Sequence, residues 1–128
     1  MTAFVYEIAS HEPAALDTAR LNVLRQSLGD QRCREVIEEV VFHVADRLAL
    51  LSQAIDADDW MEIERLATRM ASLSEQVGLA DFARVSRDLC AVISAMDPVA
   101  MAAVSARLIR LGEDSLYSVM RYAEQSAL

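Results

Sequence analysis

The chain has no lysine. All 12 basic residues are arginine, set against 20 acidic ones, and the net charge is −8. No mechanism that needs a lysine amine is open to it. The acidic balance argues against nucleic acid as a partner, because phosphate backbones reward cations clustered on one face. It suits a solvated surface and partners that present basic patches. Only three glycines and two prolines occur in 128 residues, which disfavours a loop-rich or all-β fold. The apolar runs are short and broken by charge, so no segment is expected to span a membrane. The stretch 1–10 has no basic start ahead of its apolar residues and does not read as a signal peptide, which makes the cytoplasm the expected location. The two cysteines, Cys33 and Cys90, are far apart and belong to no metal-spaced cluster. They read as reduced thiols in or near a core. No two histidines share a helix face, so a His-x-x-x-His metal pattern is absent, and there is no Gly-rich phosphate loop. No cofactor or metal is expected.

What is present is helical periodicity. With 54% hydrophobic residues the chain can fill one continuous core, and its length is that of one domain over 1–128. Residues 1–12 form an arm or short helical extension whose Phe4, Val5, Tyr6 and Ile8 are too apolar to leave wholly in water. Pro13 suits a first helical turn, and a first helix over 14–28 places Leu16, Leu21, Leu24 and Leu28 on one side before Gly29-Asp30 ends it. A second helix over 31–57 carries Ile37, Val40 or Val41, Val44, Leu48, Leu51 and Ile55 as an unbroken seam. A fourth over 79–95 turns Phe82, Val85, Leu89, Val92 and Met96 inward. Asp97 and Pro98 start a fifth, with Val104, Leu108, Leu111, Leu116, Val119 and Met120 inward and a reach to Glu124; Gly112 is a local weak point in it. Short connections imply antiparallel neighbours. The expected fold is all-α, an antiparallel four-helix bundle with an additional N-terminal helix or arm.

The third helix, over 58–78, organises the rest. Asp59 and Glu62 have capping-box spacing, and Gly78 can take the left-handed conformation that closes the far end. Ile63, Leu66, Ala67, Met70, Leu73 and Val77 make its buried stripe. Met61, Glu64, Arg65, Thr68, Ser72 and Glu75 lie on the opposite side, with Thr68 in the middle. If the preceding corner centres near Asp58, Thr68 lies beside Arg47 to Leu50 of the second helix.

This layout resembles the central helix of a histidine phosphotransfer (Hpt) domain, in which an acidic-aromatic start leads to Ala-His, then Leu, Lys and Gly on the next turn, and a later Gly. Here Ala67 and Gly78 stand where that pattern wants them, and Met70 stands for the Leu. Thr68 occupies the phosphoacceptor His position, Ala71 the Lys position and Ser72 the following Gly position. The first helix adds to the resemblance with its Leu-Asp start, stepped leucines and Gly-Asp end, so the likeness covers about 16–120. It implies a four-helix Hpt bundle and a place in two-component phosphorelay signalling, with a response-regulator receiver domain or a histidine kinase as partner.

Phosphotransfer through such a domain needs an exposed imidazole. A threonine hydroxyl is protonated at neutral pH and needs a base, and its phosphate ester is too stable to pass on. Glu64, one turn earlier, is a base on paper, but Glu at that spacing is ordinarily a solvated helix residue. Arg65 and Arg69 flank Thr68; they supply cationic character to a docking face, or they form surface pairs with Glu62 and Glu64 worth a few tenths of a kcal/mol, about 0.3–0.5 each. His11 lies in the entry segment. His43 is a conceivable substitute acceptor on the second helix, against the plainer reading of a partly buried structural histidine. The expectation is therefore a degenerate Hpt module, not an enzyme, that docks its partner through Met61, Glu64, Arg65, Thr68, Arg69, Ser72 and Glu75, with Arg47 and Leu50 alongside. The competing readings are a phosphocarrier using His43 and a self-associating bundle with no signalling role, in which Val5, Tyr6, Tyr117 and Tyr122 mark a homodimer face.

Overall fold

The computed structural model describes residues 15–126. The expected arm at 1–12, with Phe4, Val5, Tyr6, Ile8 and His11, lies outside the described residues, as does Pro13. Five helices follow in order: α1 (Thr18–Leu28), α2 (Asp30–Asp56), α3 (Trp60–Gln76), α4 (Ala80–Ser94) and α5 (Pro98–Ser126). Helix α2 packs on α3 and α5, and α4 packs on the same two, which closes a four-helix ring; α1 packs on α2. The all-α bundle with an extra N-terminal helix is the fold that the apolar spacing specifies.

Local chemistry sets the ends. Asp59 caps α3, its Oδ1 accepting from the Glu62 amide at 3.2 Å. Only half of the capping box forms, because the Glu62 carboxylate turns to Arg65 instead, accepting from Nε at 2.8 Å. Asp97 caps α5 through the Ala100 amide at 3.1 Å. Helix α1 begins four residues later than the proline at 13 suggests, since Asp17 takes the cap and accepts from the Arg20 amide at 3.0 Å. The Asp17 amide donates to the Gly78 carbonyl at 2.8 Å, which ties the entry of α1 to the α3–α4 turn.

All six predicted inward residues of α3 are buried: Ile63, Leu66, Ala67, Met70, Leu73 and Val77. Each large one contributes about 1.5–3 kcal/mol of burial free energy, so the apolar stripe rather than helix propensity holds this element. Leu28 and Met96 depart from expectation. Leu28 ends the short α1 facing water, 40% exposed, and Met96 sits in the α4–α5 turn at φ +55°, 82% exposed, so neither is core. Gly112 is no weak point. It is buried in an unbroken α5, and an added Cβ there would stand 2.7 Å from Leu48 Cδ1 and 2.9 Å from Phe82 Cε1. Glycine lets α2, α4 and α5 approach one another.

Candidate functional site

The exposed side of α3 forms an open depression of about 520 Å³, lined by Arg47, Met61, Glu64, Arg65, Thr68, Arg69 and Ser72. Six of these are residues of α3 at helical steps; Arg47 reaches in from α2, as antiparallel pairing about Asp58 requires. Thr68 is exposed at mid-face. Its Oγ1 donates to the Glu64 carbonyl at 2.9 Å, and Ser72 Oγ donates to the Thr68 carbonyl at 3.4 Å, the back-bonding habit of hydroxyl side chains within helices. Arg65 pairs with Glu62, and this hydrogen bond holds the Glu62 carboxyl below its ordinary range and the Arg65 guanidinium above its own. Glu64 and Arg69 form no ion pair among the described residues, so the expected mutual pairing of that trio is limited to Arg65 with Glu62. Arg47 Nη1 donates to the His43 carbonyl at 3.2 Å. Met61 is 87% exposed at the edge of this cationic face.

Two expected members stand apart. Glu75 is paired with Arg87 of α4 and lines a different depression, next to Asp17 and Gly78. Leu50 is exposed on α2 but does not line the depression around Thr68. His43 is also elsewhere. It is exposed, not a core histidine, stands edge-on to Phe42 with ring centroids 5.7 Å apart, and shares its surroundings with Glu35, Glu38 and Glu39. Tyr122 is half-buried, its hydroxyl donating to Asn22 Oδ1 at 3.2 Å under the Arg25 guanidinium, so it serves α1–α5 packing; Tyr117 is exposed.

Sequence reasoning missed Cys90. Its Sγ lies 3.4 Å from Thr68 Oγ1 and donates toward the Glu64 carbonyl at 3.8 Å, so a half-buried thiol of α4 borders the face on the side away from Arg47. The signal was present: with Leu89 inward, Cys90 falls one step round α4, toward a neighbouring helix. Among the described residues no three or more His, Cys, Asp or Glu side chains are grouped to hold a metal, and no helix is long and apolar enough to cross a membrane.

Among solved structures, the chain is similar to histidine-containing phosphotransfer protein B (HptB) from Pseudomonas aeruginosa PAO1, with a TM-score of 0.71 over 86% of this chain and 91% of that one, at 19% sequence identity. The fold is that of a histidine phosphotransfer domain. No family sequence model and no curated protein matches the chain. The Hpt fold was therefore legible here through one helix's residue layout and the helix lengths, where overall sequence similarity is too faint to carry it.

Proposed function

We propose that this chain is a phosphorelay docking module that does not carry phosphate on α3. It binds a response-regulator receiver domain or a histidine kinase through the Arg47, Met61, Glu64, Arg65, Thr68, Arg69 and Ser72 face. It acts by occupying its partner, not by catalysis. The observation that carries this reading is the state of Thr68: an exposed residue at mid-face whose only hydroxyl proton is directed to the Glu64 carbonyl. A hydroxyl in that state lacks a base to activate it, and attack on an acyl phosphate would need one. The surrounding guanidinium groups and the exposed Met61 suit a protein interface with an acidic partner surface.

His43 is exposed, which favours a second reading as substitute acceptor. Glu35, Glu38 and Glu39 line the same depression, however, and carboxylates repel an incoming phosphoryl group. The test is a phosphotransfer assay with the unmodified chain, Thr68→His and His43→Ala, each mixed with phosphorylated receivers of the same organism, alongside direct binding. Binding by the unmodified chain without label, and label in Thr68→His, is the expected result. Label in the unmodified chain that disappears in His43→Ala would transfer the function to His43. Absence of binding to every receiver and kinase would end the docking reading.

A further inference from the structure

A second surface lies on the outside of α2, away from the Thr68 face. Phe42, Ala45 and Ala49 recur there at steps of three and four, so they form one stripe along the helix. Phe42 is 70% exposed, so its ring offers a large apolar surface that burial against a partner would favour. Two depressions lie along this stripe, one lined in part by Phe42 and the other by Ala45 and Ala49. One, of about 520 Å³, surrounds Phe42; the other, of about 270 Å³, runs between α2 and α5 with Leu48, Ile109 and Leu116 as its apolar floor. Beside it, Gly112 lets α2 and α5 close upon each other at Leu48. Small Ala45 and Ala49 leave the wall low, and the result is a track with an aromatic head.

The rim is acidic. Glu38 and Glu113 are exposed and form no ion pair among the described residues, while Glu35 and Glu39 share one arginine, Arg32, at 3.2 and 3.7 Å. An apolar track under such a rim complements a helix that is apolar on one side and basic at its margins. It does not complement itself, since a second copy would set carboxylates against carboxylates. We infer that the α2–α5 groove headed by Phe42 docks a basic amphipathic helix of a partner protein, at a site separate from the Thr68 face.

The test uses the full chain and a fluorescein-labelled synthetic helix of about 16 residues, long enough to hold helical structure, with leucine at steps of three and four and arginine at the flanks. A copy with glutamate for arginine is the control. Binding is followed by anisotropy and mapped by amide chemical shifts. The basic helix is expected to bind and its acidic copy not. Shifts are expected at Phe42, Ala45, Ala49 and Ile109, with binding weakened about tenfold or more in Phe42→Ala. Glu38→Gln with Glu113→Gln should weaken binding, whereas Glu64→Gln on the other face should not. Equal weakening by Glu64→Gln would reveal diffuse charge attraction and overturn the inference. So would shifts confined to the Thr68 face, or no binding up to about 100 µM, which is weaker than about −5.5 kcal/mol. Sedimentation showing a dimer that Phe42→Ala dissolves would overturn it in favour of a second copy.

Discussion

Thr68 Oγ1 and Cys90 Sγ lie 3.4 Å apart across the α3–α4 seam, and both point toward the Glu64 carbonyl. The proposed docking face therefore has a thiol at its edge, at the residue on which the functional reading turns. Cys33, the other thiol, is buried between helices, and burial raises its pKa. The two cysteines look alike in sequence and differ in burial, which governs access to a reagent.

The first prediction uses that difference. The thiolate is the reactive form, and exposure and pKa set the rate. Cys90, half-buried at the surface, should react with a thiol reagent such as DTNB well ahead of Cys33 at pH 8. Labelled Cys90 places a bulky group beside Thr68, so receiver binding should fall in step with labelling, and Cys90→Ser should remove the sensitivity. Simultaneous labelling of both thiols would mean that the bundle opens on that timescale.

The fold was legible because each helix carries its own start, stop and apolar stripe. Asp59, Asp97 and Gly78 act where their chemistry says they should. The six-residue stripe of α3 is buried without exception. What failed to show in sequence depends on distances between helices. Gly112 reads as a flaw until Leu48 and Phe82 are seen pressed against it. Glu75 shares the periodicity of the Thr68 face, yet Arg87 of α4 draws it to the other side of that face. Cys90 is anonymous until α4 is laid beside α3. Met96 follows the inward spacing of α4 but falls two residues past its end, where the chain reverses.

The second prediction concerns Gly112→Ala. Helix propensity alone favours alanine by about 1 kcal/mol. The new Cβ, however, would meet Leu48 Cδ1 at 2.7 Å and the ring of fully buried Phe82 at 2.9 Å. Half-buried Leu48 can give way, but the Phe82 ring cannot without moving α4. Overpacking of this kind costs about 1–3 kcal/mol, so net destabilisation is expected in urea unfolding. An Ala variant as stable as the parent would mean that α2 and α4 yield to the added methyl group without loss of packing.

A third prediction comes from the Glu62–Arg65 pair. The hydrogen bond from Arg65 is the chief reason that the Glu62 carboxyl lies below its ordinary value of 4.5. A carboxylate with a depressed folded-state pKa adds stability that is fully present above the ordinary value and is lost as pH falls through the lowered one. The pair is at the surface, where such bonds are weak and screened by salt. NMR titration should show Glu62 changing protonation below pH 4.5, and Arg65→Gln should return it toward its ordinary range. An unchanged Glu62 titration in that variant would remove Arg65 as the cause.

Gly78 and Met96 make a fourth prediction by opposition. Both have left-handed backbone, at φ +73° and +55°, a conformation that costs about 1–2 kcal/mol for a residue with a Cβ. At Gly78 an added Cβ would also stand 2.7 Å from the Asp17 carbonyl oxygen and 3.1 Å from Leu21 Cγ. That oxygen belongs to backbone held by the Asp17-to-Gly78 hydrogen bond, so strain and clash act together. Gly78→Ala should destabilise the chain by about 2 kcal/mol or more and loosen α1, visible as faster amide exchange at Leu21. Met96 already bears the backbone strain, and its exposed side chain returns little burial. Met96→Gly should therefore raise stability by a few tenths to about 1 kcal/mol, relief of strain outweighing the greater entropy of unfolded glycine. Opposite signs for the two substitutions, read from urea midpoints at constant slope, are the expected result. Destabilisation by Met96→Gly would show that the methionine side chain holds the α4–α5 turn through contacts that its exposure does not suggest.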